Sequence, residues 1–255
     1  MSEWWTYSLS SFLLFSARTY YRLFELTNAD VWPLQIVTLA IGVAIIFLIV
    51  RGTAWSGRAV AAMLAALWLF VAWAYMLERY DPINFAARYY AIGFVLQAGL
   101  LLWTGAIRDG IRFDSSPLIP AKAGIQSPTH EPAVEPWVPA FAGTSGARWV
   151  GVALLVYALA IHPLIAPLSG RPWTQAEIFG LAPDPTVIAT LGVLVAAARP
   201  NWLLVILPLL WCIISGLTLW TMESPEAPVI AVAGLLAIAA CFVRNRDEIR
   251  DNQII

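Results

Sequence analysis

The chain has 255 residues, of which 60% are hydrophobic and 12% carry a charge, and its formal net charge is −1. Soluble domains carry about 25% charged residues, so the apolar surplus predicts a protein whose surface faces membrane lipid. The near-zero net charge gives no support to nucleic acid as a partner.

Residues 1–30 are predicted to form an N-terminal interfacial segment. Arg18, Arg22 and Glu25 fall in one narrow sector of a helical wheel, and apolar and aromatic side chains fill another sector. This pattern predicts an amphipathic helix that lies in the membrane interface. A helix packed against the bundle fits the pattern equally well, and both interpretations stay open. No cleaved signal peptide is expected, because a basic region followed by an apolar core is missing at the start.

Seven stretches have the length and apolar character of membrane-spanning helices, since a span needs about 20 apolar residues. Three lie within residues 31–114 and four within residues 148–243. They cover residues 31–50, 60–77, 85–107, 149–168, 185–198, 202–220 and 229–243. The fifth is the weakest, because its uncharged core over residues 186–198 rises only about 20 Å as a helix. A re-entrant segment is the alternative at that position.

The distribution of positive charge predicts the orientation, because Lys and Arg favour cytoplasmic loops. With the N-terminus outside, ten of the 15 Lys and Arg residues fall in inner segments and five in outer segments. The inner residues are Arg51, Arg58, Arg108, Arg112, Lys122, Arg148, Arg199, Arg244, Arg246 and Arg250. The sequence therefore predicts an all-α polytopic transmembrane helix bundle of about seven spans, with residues 244–255 as a cytoplasmic tail.

Residues 115–147 are predicted to be a disordered cytoplasmic insertion, because they are rich in Pro, Ala, Gly and Ser and lack helical or strand periodicity. The reverse complement of codons for residues 120–126, read one base along, encodes Trp-Ile-Pro-Ala-Phe-Ala-Gly. Residues 137–143 have that sequence with Val138 in place of Ile. We interpret the segment as a translated inverted repeat, similar to the palindromic elements of bacterial genomes. Its His130, Glu131 and Glu135 are therefore interpreted as solvated loop residues rather than metal ligands.

Few polar side chains fall inside the predicted spans, and two of them need an interpretation. Gln97 is expected to form a hydrogen bond between helices rather than a substrate contact. His162 is expected to be a hydrogen-bonded structural residue rather than a proton relay. The scarcity of ionisable residues in the spans argues against a proton- or sodium-driven transporter of the usual kind.

Two predicted outer loops carry mixed charges, amides and aromatic side chains, the mixture that recognition of a small molecule requires. The candidate outer-face ligand site consists of Glu78, Arg79, Asp81, Asn84, Arg171, Trp173, Glu177 and Asp184. Arg79 or Arg171 would hold an anionic group and Trp173 would form an apolar wall.

Simpler roles are predicted for several of these residues. Glu78, Arg79 and Asp81 suit an ion-pair cluster that anchors helix ends at the interface. Asp184 is expected to cap the fifth span, and Thr174 with Glu177 to form the capping box of a short helix over residues 174–179.

The sequence offers no signature of enzymatic or metal chemistry. A Ser/His/Asp order, an HExxH motif and a Gly-rich phosphate loop are all missing. No catalytic residue, metal or cofactor is therefore predicted. Cys212 and Cys241 lie in apolar runs and are interpreted as small buried hydrophobic residues.

Three long motifs carry a family resemblance, namely EWWTYSLSSFLLFSARTYYRLFELTN, ERYDPINFAARYY and GRPWTQAEIFGLAPDPTVIATLG. They resemble the uncharacterised bacterial integral-membrane family catalogued as domain of unknown function 6064. The resemblance covers nearly the whole chain except residues 115–147. It implies a bacterial cytoplasmic (inner) membrane protein and brings no known activity.

Three functions are compatible with these observations. The leading hypothesis is a permease-like or sensory membrane protein that handles a small molecule at its outer face. The alternatives are a membrane-embedded enzyme with outer-face carboxylates and a structural or partner-binding membrane subunit. A transporter requires a polar path or broken helices, and an enzyme requires converging acid and base groups. A partner subunit requires an exposed patch of small residues such as Gly42, Gly93 and Gly99.

We predict that residues 115–147 are dispensable for folding. Replacing them with a short Gly/Ser linker is expected to leave the folded yield and the unfolding temperature in detergent nearly unchanged. The physical reason is that halving a loop changes its closure entropy by only about 0.6 kcal/mol. A collapse in folded yield would mean instead that the segment packs against the bundle.

Overall fold

The computed structural model describes residues 15–113, 144–199 and 201–252, with side chains up to residue 243. Residues 1–14 and nearly all of the predicted insertion lie outside these described residues. The described chain is all-helical. Its helices are α1 (Ala17–Asp30), α2 (Leu34–Arg51), α3 (Ser56–Tyr80), α4 (Ala87–Ile107), α5 (Gly146–Leu168), α6 (Pro183–Ala196), α7 (Trp202–Thr221) and α8 (Ala227–Asn252).

Five of these helices, α2 to α5 and α7, are long and apolar enough to cross a membrane. The stretches Pro183–Ala196 and Ala227–Val243 are shorter apolar helices. The prediction of a membrane helix bundle is therefore supported by five helices of membrane-spanning length. The stretch of residues 185–198, which the sequence marked as the weakest candidate, forms the short helix α6. The aromatic and aliphatic side chains of the long helices are widely exposed, as lipid-facing positions are.

Helix α6 is enclosed by the other helices, because every one of its residues is buried. It packs against α5, α7 and α8. A Cβ on Gly192 would lie 2.6 Å from the carbonyl oxygen of Gly151, so α5 and α6 meet backbone against backbone. Small residues permit this close approach in membrane bundles. The helix ends beside the loop after α4, where the Ala198 amide donates to the Arg112 carbonyl at 2.6 Å.

Helix α1 packs across one end of the bundle. Its Phe24 ring stacks on Tyr75 of α3 at 5.0 Å between centroids, and Tyr20 contacts Tyr80 edge-on at 5.9 Å. Asn28 donates to the carbonyls of Thr174 and Ala176 at 2.9 Å and 2.8 Å. These contacts agree with one of the two interpretations of this segment, namely a helix packed against the bundle. The position of α1 in the membrane interface stays a prediction.

The two ends of the bundle differ in what they carry. We call the end that holds α1 and residues 169–182 the loop end. We call the opposite end, where α4 ends and α5 begins on either side of residues 114–143, the insertion end. At the insertion end, buried Arg148 donates to the carbonyls of Ile49 and Val50 at 2.6 Å and 3.0 Å. A cation at the C-terminus of α2 satisfies carbonyls that have no partner inside the helix.

A proline inside α7 explains the one polar side chain that α4 buries completely. Pro208 has no amide hydrogen, so the carbonyl of Leu204 four residues earlier lacks its helical donor. The side-chain amide of Gln97 donates to that carbonyl at 2.9 Å. Gln97 is fully buried, so this bond replaces a backbone bond within the apolar interior. The contact is of the interhelical kind that the sequence predicts for Gln97.

We predict a coupling between Gln97 and Pro208. Gln97→Leu is expected to lower the free energy of unfolding by about 1 kcal/mol, because the Leu204 carbonyl then stays unpaired. In a Pro208→Ala background the same change is expected to cost much less, since the new amide of residue 208 supplies the donor. Reversible unfolding in mixed detergent micelles measures the double-mutant cycle. Equal losses in both backgrounds would contradict the assignment.

Candidate functional site

The loop of residues 169–182 folds into the loop end of the bundle. Gly170 adopts a φ of 79° and turns the chain directly after α5, a conformation that favours glycine. After a short 3-10 turn over Trp173–Gln175 the backbone becomes extended at Ala176. Ala176, Glu177 and residues 179–182 are all buried. The loop therefore carries polar side chains beneath the surface rather than displaying them on it.

Glu177 meets His162 inside the bundle. Its Oε2 lies 3.5 Å from Nε2 of His162, and the side chains are 4% and 5% exposed. The helix over residues 174–179 with a Thr174–Glu177 capping box is therefore a wrong prediction, because the helical turn ends at Gln175 and the Glu177 side chain points inward. Helix α5 is itself irregular here, with a π-helical turn over Tyr157–Ile161 and a 3-10 turn over His162–Leu164. Departures of this kind are frequent at functional sites.

Asp184 is held by two neutral donors from α7. Its Oδ1 accepts from Nε1 of Trp211 and its Oδ2 from the Ser215 hydroxyl, both at 2.7 Å. The predicted capping role of Asp184 is wrong, because Ala182 is the N-cap residue and makes no side-chain cap bond. Asp184 instead occupies the first turn of α6 between Pro183 and Pro185, which have no amide hydrogen to be capped. A carboxylate at this place is favoured by the helix dipole.

Arg171 connects three elements at the loop end. Its guanidinium forms an ion pair with Glu226, which directly precedes α8, and the two side chains are 13% and 5% exposed. The guanidinium carbon lies 3.7 Å from the ring centroid of Tyr21 in α1. The Tyr21 hydroxyl shares a 2.8 Å hydrogen bond with Ser224. Arg171 thereby holds the loop against both α1 and the start of α8.

We call His162, Arg171, Glu177, Asp184 and Glu226 the buried polar cluster. Each member interacts electrostatically with at least two others. Burial raises the pKa of Glu177 from 4.5 to about 7, against the smaller effect of Arg171, which lowers it. Burial likewise raises the pKa of Glu226, with a further contribution from Glu177. The cluster thus holds three carboxyl groups beside one guanidinium, and burial favours the protonated form of Glu177 and Glu226.

The structure brings together three of the eight residues of the predicted ligand site, namely Arg171, Glu177 and Asp184. The other five lie apart from them. Glu78 and Trp173 are exposed. Arg79 pairs with Asp30 and Asp81 with Arg88, and Asn84 accepts from the Ala86 amide at 3.1 Å. Among the described contacts, none of these five joins the buried polar cluster through a hydrogen bond or an ion pair.

Sequence reasoning missed Glu226, Trp211 and Ser215 as members or partners of the cluster. Trp211 and Ser215 are four residues apart, so they lie on one face of α7, and that spacing is a usable signal. Glu226 carries no comparable local signal, because its partner Arg171 lies 55 residues away in the sequence. Over the residues that the structure describes, no group of three His, Cys, Asp or Glu side chains has a metal-binding arrangement.

We predict that the protein loses stability as the pH rises through about 7. The pKa of the Glu177 carboxyl is 4.5 in the unfolded chain and about 7 in the fold. Its contribution to the free energy of unfolding is therefore fully present below pH 4.5 and is lost as the pH rises through about 7. A rise from 4.5 to about 7 corresponds to about 3 kcal/mol. Glu177→Gln is expected to raise the unfolding temperature at pH 8 relative to wild type while leaving it nearly unchanged at pH 4.5.

The matched control is Glu78→Gln, which removes an exposed carboxylate from the same end of the bundle. Glu226 contributes with the same sign, so the pH dependence in Glu177→Gln is expected to be reduced rather than abolished. An unchanged pH dependence in Glu177→Gln would show that the Glu177 carboxyl is hydrated.

Comparison with known families gives one match. A family model described as a family of unknown function, DUF6064, matches residues 17–116 and 140–252. No curated protein and no solved structure matches the chain. The break in the family match falls within residues 115–147, which the sequence analysis interprets as a translated repeat. Since the match covers most of the sequence, the chain belongs to the DUF6064 family.

Proposed function

We propose that this chain is a multi-pass protein of the bacterial inner membrane that crosses the bilayer about seven times. Five membrane-length helices together with the shorter apolar helices α6 and α8 support that number. The excess of positive residues in alternate connections supports an outer N-terminus and a cytoplasmic C-terminus. In this topology the loop end faces the outside, and α1 lies at the outer interface.

Within this topology we infer a permease-like function, in which the buried polar cluster binds a small molecule that enters from the outer face. The main support for a binding site is that residues 169–182 fold inward over the start of the enclosed helix α6. This arrangement brings Glu177, His162 and Asp184 together. Substrate sites of membrane transporters are commonly built where a helix begins inside the bundle.

The energetic cost of the cluster supports a functional role. Buried ion pairs are often no more stabilising than apolar side chains of the same volume, because desolvation offsets the attraction. A fold that needed only a lock between helix ends would not require five ionisable side chains there. Ionisable groups inside membrane bundles usually mark ligand or ion pathways.

The pairing of the two outer arginines bears on the chemical class of the ligand. Arg79 is neutralised by Asp30 and Arg171 by Glu226. The sequence suggested that Arg79 or Arg171 holds an anionic group. These ion pairs argue against that role, because neither guanidinium is free. Glu177 and Asp184 remain as carboxyl groups without a basic partner other than His162. This balance favours a neutral or cationic molecule over an anion.

One observation favours a membrane-embedded enzyme as a second candidate. His162 and Glu177 form an acid–base pair of the kind that general acid–base catalysis uses. An enzyme would consume its ligand, whereas a permease returns it unchanged. Mass spectrometry of a bound molecule before and after incubation with the protein separates these two outcomes.

We predict that the cluster is reached by small reagents from outside the cell. Cys212 and Cys241 are first replaced by Ala, and Glu177→Cys is made in that background. A small cationic thiol reagent added to intact cells is expected to modify residue 177 at least tenfold more slowly than Glu78→Cys, because the site opens only part of the time. Gel-shift analysis with a thiol-specific polymer measures the remaining free cysteine.

Two controls define the outcome. Arg112→Cys, at the insertion end, is expected to react only after the cells are permeabilised, and a green fluorescent reporter fused after Ile255 is expected to fluoresce. Labelling of Arg112→Cys in intact cells would invert the topology. Complete inertness of Glu177→Cys in folded protein, with Glu78→Cys reactive, would leave the cluster as a closed structural lock.

A further inference from the structure

The Glu177–His162 pair is the incompletely satisfied part of the buried polar cluster. Arg171 and Glu226 are in contact and cancel each other's charge. Both oxygens of Asp184 accept hydrogen bonds from α7. His162, in contrast, has a buried Nδ1 without a hydrogen-bond partner among the described residues. The polar groups left to respond to a ligand are therefore those of Glu177 and His162.

A second unpaired polar group lies nearby. The Tyr75 hydroxyl of α3 is fully buried and makes no hydrogen bond of good geometry within the described chain, although the Tyr20 side chain of α1 lies within reach of it. Glu177 and Asp184 both act electrostatically on it. Buried polar atoms without partners are uncommon and call for a water molecule, an ion or a ligand. The Tyr75 hydroxyl is thus an incompletely satisfied polar group within electrostatic range of the two carboxyl groups.

The charges that face the pair decide which species suits it. Besides the other cluster members Arg171, Asp184 and Glu226, several ionisable groups interact electrostatically with the cluster. They are Tyr20 and Tyr21 of α1, Tyr75 and Tyr80 of α3, Tyr157 of α5 and Cys212 of α7. The tyrosines and the cysteine are neutral at neutral pH. With Asp184 ionised and Arg171 balanced by Glu226, an unprotonated Glu177–His162 pair leaves a net charge of −2. One bound proton reduces it to −1.

We propose that the Glu177–His162 pair is a proton-binding site that exchanges one proton with the outer water. The proton is held on Oε2 of Glu177 or Nε2 of His162, and the 3.5 Å between these atoms allows both groups to share it. No other bond forms or breaks, and water is the donor and the acceptor. The proposal rests on the proposed function, because it makes proton uptake the event that accompanies ligand binding at this site.

Infrared difference spectroscopy tests this assignment directly. Wild-type protein in liposomes is compared at a series of pH values between 5 and 9, and the stretching band of protonated carboxyl groups is followed. The band is expected to disappear with a midpoint near pH 7, where Glu177 titrates. Glu177→Gln is expected to reduce the amplitude of this transition by the share of one carboxyl group, because the carboxyl of Glu226 is also buried, and the exposed-carboxylate control Glu78→Gln is expected to keep the full amplitude.

The variant His162→Gln distinguishes a shared proton from an isolated buried acid. Without an imidazole beside it, the carboxylate loses its one potential cationic neighbour in the pair, so the midpoint is expected to rise by at least half a pH unit. This variant also decides the question if Glu177→Gln does not fold. A midpoint unchanged in His162→Gln, or a transition of undiminished amplitude in Glu177→Gln, would overturn the proposal.

The two proposals fail separately. If residue 177 is inert to outside reagents while the carboxyl band still titrates in liposomes, the site binds a proton but the permease-like function is refuted. If residue 177 is accessible and the band is missing, the proton-binding site is refuted and the outer-face site stands.

Discussion

The enclosure of α6 is the constraint on which the loop end depends. Because all residues of this helix are buried, its two ends and the segments that lead to them must also lie against protein. The glycine contact between Gly151 and Gly192 brings α5 close enough for His162 to reach the segment before α6. The loop of residues 169–182 therefore folds over the start of the helix, and Glu177 comes with it. The position of every member of the buried polar cluster follows from this arrangement.

Helix α1 contacts the loop of residues 169–182 through several polar contacts, each of which is individually weak. Asn28 binds two loop carbonyls, the Glu25 carboxylate accepts from Gln175 at 3.2 Å, and Tyr21 packs against Arg171. Hydrogen bonds of this type each contribute about 1 kcal/mol net, and several of these groups are partly exposed. Helix α1 also packs Tyr20 and Phe24 into the core. Exposure of the cluster to water from this side would therefore require breaking these polar contacts together with the aromatic contacts to α3.

The sequence predicts the helices well and the cluster only in part, for a physical reason. Hydropathy depends on neighbouring residues, so the long spans and the weakness of the fifth are visible in the sequence. The pairs Arg171–Glu226 and Asp184–Trp211 join residues 55 and 27 positions apart, and no local pattern encodes them. The capping predictions for Asp184 and Glu177 were wrong because they considered only adjacent residues. The argument against ion-coupled transport considered only the span interiors and stays a prediction, and Arg171, Glu177 and Glu226 lie in the connections between helices.

Helix α7 links the cluster to the rest of the bundle. Its Trp211 and Ser215 hold Asp184, and about two turns before Trp211 the Leu204 carbonyl, freed by Pro208, binds Gln97 of α4. The charge on Glu177 acts on Asp184, so a proton gained by the loop reduces the negative charge next to the residue that joins α6 to α7. Of the side chains that act electrostatically on Asp184, Glu177 has the largest effect. If the proposed protonation of Glu177 occurs, the packing of α6 against α7 through Asp184 is therefore the first contact of the interior that it would affect, and Pro208 has already removed one backbone hydrogen bond from α7 there.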